Sequence, residues 1–149
     1  MSQAAVASPS SLVVSRIYPA SQERVFKAWT DANQLGQWFA PSDDYTTQAT
    51  VDLRVGHEYR IAITHKGGNV HSVVGTYHLI DPPRKLVYTW RWEGGPSDTL
   101  VTIDFTPKGD STEVTITHDR FLDVETRDKH NDGWTGCLER LGRKLDSLN

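Results

Sequence analysis

The chain has 149 residues, 37% of them hydrophobic, with 16 basic against 19 acidic side chains and a formal net charge of −3. That length suits one domain with one sizeable core. The charge balance, without any Lys/Arg cluster, argues against nucleic acid as a partner, because no positive field exists to displace counterions. No apolar run reaches the length of a bilayer, so membrane insertion is not expected. The single Cys137 cannot make an intrachain disulfide, which fits a reducing, cytoplasmic setting.

Residues 1–10 are small and polar and read as a loose tail without the features of a secretory signal. Residues 11–149 read as one domain. Leu12–Tyr18 is β-branched and apolar, a strand ended by Pro19. Ser21 caps a helix that places Val25, Phe26 and Trp29 on one side. Asp31 caps a second short helix carrying Leu35, Trp38 and Phe39, and Gln34 completes a capping-box pattern. From Tyr45 the period becomes two. Strands are expected over Thr46–Leu53, around Tyr59, Ile61 and Ile63, over Val70–Ile80, Leu86–Trp92, Leu100–Phe105 and Glu113–His118. Lys66-Gly67-Gly68-Asn69 marks a tight hairpin. Six consecutive strands joined by short turns form an antiparallel meander, with the first strand on one edge.

Leu86-Val87-Tyr88-Thr89-Trp90-Arg91-Trp92 is the most informative stretch. Strand side chains alternate, so Leu86, Tyr88, Trp90 and Trp92 share one face. So much aromatic surface demands a cover. The last stretch supplies one: Trp134, Leu138, Leu141, Leu145 and Leu148 form an apolar stripe at helical spacing over roughly Asp123–Leu148. The fold class is therefore α+β: a curved seven-stranded antiparallel sheet wrapped around a long C-terminal helix, with two short helices after the first strand.

Several motifs resemble a known family. They are Pro19–Thr30, Leu35–Pro41, Asp52-Leu53-Arg54-Val55-Gly56, Ile80–Trp90 and His130-Asn131-Asp132-Gly133-Trp134. In order and spacing the chain resembles the helix-grip fold of the START-like (SRPBCC) superfamily, in the branch named after the activator of a heat-shock-protein ATPase. One departure is His57, where the resemblance implies a second glycine. The resemblance implies a hydrophobic cavity between sheet and helix. It also implies two other functions: a cyclase or hydrolase acting on a polyketide-like or aromatic substrate, and a chaperone-associated partner in stress response.

The expected cavity is lined by Trp38, Phe39, Tyr59, Ile61, Ile63, Tyr88, Trp90, Ile103, His118, Trp134 and Leu138, which share the inward parity of their elements. These rings either hold a ligand or simply fill the core. His118, in register with Val114 and Ile116, is the polar group expected inside, as a hydrogen-bond partner, a general base or a satisfied core histidine. Extending the helical stripe backward gives His130 and Arg127, which read either as a pocket mouth or as an exposed first turn. Gly133 either lets the helix approach a neighbour or opens room beside Trp134. No metal-ligand spacing, nucleophile elbow, phosphate loop or dinucleotide fingerprint occurs, so neither cofactor nor metal is expected. The expected function is binding of a small hydrophobic or aromatic molecule without catalysis. Monomer and homodimer are both compatible with the sequence.

Overall fold

The computed structural model describes residues 10–148. The tail expected over 1–10 lies outside the described residues except for Ser10, whose carbonyl accepts from the Phe121 N–H at 2.9 Å. The elements follow as β1 (Leu12–Tyr18), α1 (Gln22–Thr30), α2 (Ala32–Trp38), β2 (Tyr45–Val51), β3 (Glu58–His65), β4 (Val70–Asp81), β5 (Lys85–Trp92), β6 (Thr99–Lys108), β7 (Ser111–Asp119) and α3 (Val124–Lys144). The strands form one antiparallel sheet in the order β1-β7-β6-β5-β4-β3-β2.

The caps explain where the short helices begin. Ser21 Oγ accepts from the Arg24 N–H at 3.2 Å, and the Asp31 carboxylate accepts from the Gln34 N–H at 3.0 Å. The return arm of the expected capping box does not form. Asp31 is also the last residue of α1's turn, and its own N–H donates to Lys27 O at 2.9 Å. β2 stops at Val51, short of the expected Leu53. There the Arg54 guanidinium grips the Asp52 carboxylate through two 2.7 Å bonds and the chain turns away.

The sheet curves at β4. A Cβ on Gly75 would sit 1.9 Å from Thr89 O and 2.7 Å from the Tyr59 ring. Without that Cβ, Tyr59 on β3 reaches across β4, and its hydroxyl donates to Thr89 O on β5 at 2.6 Å. The Thr76 N–H turns to Thr89 Oγ1 instead of a backbone partner, at 2.9 Å. A bulge between Tyr77 and Leu79 then shifts the register by one residue. Parity changes with it, so Tyr77 and Ile80 both pack on the core while Leu79 is exposed.

α3 lies across the concave face. The Asp123 carboxylate caps it by accepting from the Thr126 N–H at 2.7 Å. It ends one turn before the expected Leu148, because Leu145–Ser147 tighten into a 3-10 turn. Trp134, Leu138, Leu141 and Leu145 are buried and Leu148 is half-buried. Each large apolar side chain covered this way contributes about 1.5–3 kcal/mol. Hydrogen bonds fix the helix from both sides: Tyr18 OH donates to Leu138 O at 2.7 Å and Arg24 donates to Leu145 O at 2.6 Å. No helix among the described residues is long and apolar enough to cross a membrane.

Candidate functional site

The segment after α2 is held against the middle of α3. Gly136 makes this possible: a Cβ there would stand 2.2 Å from Pro41 O. One turn later the buried Arg140 donates from Nε to Trp38 O at 3.0 Å and pairs with the Asp43 carboxylate, which Arg143 also approaches at 3.3 Å. The Arg143 and Arg140 guanidinium groups hold the Asp43 carboxyl below its usual range. Asp43 thus ties the loop to the helix while its side chain stays largely exposed.

Toward the N-terminus of α3 this contact ends. An added Cβ at Gly133 would meet nothing within 4 Å. A cavity of about 340 Å³ opens there, lined by Phe39 and Pro41 from the loop, Ile63 from β3, Trp90 and Trp92 from β5, and Lys129, His130, Gly133, Trp134 and Cys137 from α3. An outer depression continues from it past Tyr45, His71 and Asp132. Its volume lies near the lower end of small-molecule sites. The rings of the wall brace one another: Trp90 and Trp134 stand 5.0 Å apart, Phe39 and Trp134 5.8 Å, and Phe39 and Trp90 6.0 Å.

Behind the wall runs a hydrogen-bonded chain whose proton positions follow from the donors. The Trp134 indole can only donate, and it points at His118 Nδ1 at 2.9 Å. The neutral His118 ring therefore carries its proton on Nε2 and donates to Thr99 Oγ1 at 2.6 Å. The Thr99 hydroxyl donates onward to Trp90 O at 2.8 Å. His118 is fully buried, and burial first, then the neighbouring His130, lowers its pKa to about 2. Both ring nitrogens are committed, so no lone pair is left to take a proton from a substrate. Phe121 covers the ring at 4.3 Å.

His130 is fixed in the same manner at the cavity wall. Trp92 Nε1 donates to His130 Nε2 at 2.9 Å, and His130 Nδ1 donates to Thr126 O at 2.8 Å. Burial lowers its pKa, opposed by the Thr126 carbonyl. The Cys137 thiol is buried in the wall and pushed up to about 12. Among the described residues, no group of three or more His, Cys, Asp or Glu is placed to hold a metal ion.

The residues expected at the cavity from sequence separate into two layers. Phe39, Ile63, Trp90 and Trp134 line it. His118 supports Trp134 from behind. Trp38 is fully buried, with its indole donating to Ala28 O at 2.9 Å. Tyr59 and Tyr88 pack edge to face at 5.1 Å beside Tyr77, and Ile61, Ile103 and Leu138 lie in the core. Pro41, Lys129 and Cys137 were not expected at the wall. Cys137 had a signal, since it follows Trp134 by three residues on the stripe. Pro41 had none, because its place depends on the Gly136 contact. His130 lines the cavity and Arg127 does not.

Residues 19–146 match the profile of the family described as activator of Hsp90 ATPase homolog 1-like protein. No curated protein sequence matches the chain at a significant level. Among solved structures it is similar to a protein from Chromobacterium violaceum, with 25% identity over 93% of this chain and 98% of that one and a TM-score of 0.84. It is also similar to an AHSA1-like protein from Aeromonas hydrophila, with 25% identity, 91% and 93% coverage and a TM-score of 0.75. A third is CalU16 from Micromonospora echinospora, with 26% identity, 91% and 75% coverage and a TM-score of 0.65. With the family profile spanning nearly all of its described residues, the chain belongs to the activator of Hsp90 ATPase homolog 1-like family.

Proposed function

We propose that this protein binds a small hydrophobic or aromatic molecule in the cavity beneath α3, without catalysis, in a cytoplasmic setting. The observation that carries this reading is the cavity itself: about 340 Å³ walled by Phe39, Ile63, Trp90, Trp92 and Trp134. A flat ring entering it exchanges water for aromatic faces, which is favourable in proportion to the area covered. The commitment of both His118 nitrogens favours binding over the cyclase or hydrolase reading. The family description also raises a chaperone partner. Against that, the large exposed apolar residues fall in ones and twos on β1, the β2–β3 turn, β4 and the start of α3.

The test is thermal unfolding with a panel of one- to three-ring aromatic compounds, because a ligand of the folded state raises the midpoint. Hits are expected in the wild type and lost in Gly133→Leu, whose side chain would fill the cavity, while Thr135→Leu on the exposed side of α3 keeps them. Equal stabilisation in both variants, or none in the wild type, contradicts the reading.

A further inference from the structure

The cavity has a neighbour. A second chamber of about 150 Å³ is lined by Pro96 from the β5–β6 turn, Thr99 from β6, Phe121 and Leu122 from the segment before α3, and Thr126 from α3. The two chambers share Trp90, Trp92 and His130 in their linings, and these three side chains stand between them. Trp92 comes from the sheet and His130 from the helix, and they meet where the Trp92 indole donates to His130 Nε2 at 2.9 Å. His130 is held a second time, because Nδ1 donates to Thr126 O at 2.8 Å. Rings brace this bond. Phe121 packs against His130 at 4.9 Å, His71 stands edge-on to Trp92 at 6.4 Å, and Trp90 stands edge-on to Trp92 at 5.7 Å and to His130 at 6.2 Å. The partition is therefore a single cross-bridge from sheet to helix, closed by side chains and not by backbone.

We infer that Trp92 and His130 determine the length of ligand this protein takes: compact ring systems are held in the larger chamber, and a ligand extended toward β6 gains nothing from the second chamber while the cross-bridge stands. This rests on the cavity reading above. The magnitudes decide it. A ligand that reaches the second chamber must move His130 aside, which breaks both of its hydrogen bonds. Each is a neutral bond worth about fivefold in an equilibrium, so the two oppose entry by about thirtyfold. One further ring, half covered in so small a space, gains about tenfold. The bridge wins, and the ring stays out. Once the bridge is cut, the same ring collects its gain.

Two probes test this: acetonaphthone, and the same molecule lengthened by a phenyl group on its far ring. Backbone amide resonances report where each one sits, since Ile63, Gly133 and Cys137 line only the larger chamber and Thr99, Phe121 and Leu122 only the smaller. In the wild type both probes should move the first set and leave the second still. In His130→Ala the lengthened probe should gain about tenfold in calorimetric affinity relative to acetonaphthone, and the second set should move. Trp92→Phe removes the donor from the other side of the bridge and should act in the same direction if His130→Ala folds poorly. Ile63→Ala enlarges the first chamber without touching the bridge, and should leave the second set still. Movement of Thr99 and Phe121 in the wild type or in Ile63→Ala overturns the inference while leaving the cavity reading intact. So does an unchanged affinity ratio in a folded bridge variant that still binds acetonaphthone. Failure of acetonaphthone to bind the wild type overturns both.

Discussion

Two glycines three residues apart on α3 have opposite meanings. At Gly136 the missing side chain lets the helix rest on Pro41 O, and beyond Cys137, which still lines the cavity, Leu138, Leu141 and Leu145 are buried. At Gly133 the missing side chain faces open space and forms part of the cavity wall. One half of α3 is therefore core and the other half is roof. The difference is one of backbone approach, since the same residue type closes one region and opens the next.

Substitutions at the closed end should have the larger effect. Gly136→Ala forces a methyl group into a backbone carbonyl that cannot rotate away, and should cost about 2–3 kcal/mol in chemical denaturation. A tolerated alanine would show that α3 is not seated on Pro41. His118→Leu leaves the Trp134 indole without its acceptor in a buried place, at about 1–3 kcal/mol. It should also loosen the Trp134 ring, read as a shift and broadening of tryptophan emission.

The same histidine sets an acid limit. Its folded pKa, about 2, lies below the ordinary value of 6.5, so between those values the unfolded chain binds a proton that the folded one refuses. Stability should be full above pH 6.5 and fall by about 1.4 kcal/mol per pH unit below it for this group. His130, also lowered, steepens the fall. In His118→Leu the slope should lose one proton; an unchanged slope would mean that His118 is not the group responsible.

The smallest effect belongs to the roof. Gly133→Ala meets no neighbour and improves helix propensity, so it should stabilise by about 0.5–1 kcal/mol. The sign is the point: opposite signs at positions 133 and 136 would establish the contrast, and a loss at both would remove it.

Much of the architecture was legible because period and capping are local signals. The alternation of Tyr59, Ile61 and Ile63, the stripe from Trp134 to Leu145 and the caps at Ser21 and Asp31 each depend on a few neighbouring residues. The change of parity in β4 was not legible, since the bulge at Tyr77–Leu79 answers to the curvature demanded by Gly75 and Tyr59. The candidate site was readable as a set of inward aromatics but not as two layers. Whether Tyr88 or Trp90 meets empty space depends on where the 39–43 loop is tied. That tie is made by Arg140, Asp43 and Gly136, about a hundred residues apart in sequence.

The central claim is that a small aromatic molecule occupies the room under the first half of α3. The most direct measurement is the indole N–H spectrum of the five tryptophans during titration with acetonaphthone. The account predicts saturable shifts at Trp90, Trp92 and Trp134, with Trp38 unmoved on its bond to Ala28 O. No saturable shift, or a largest shift at Trp38, would contradict it.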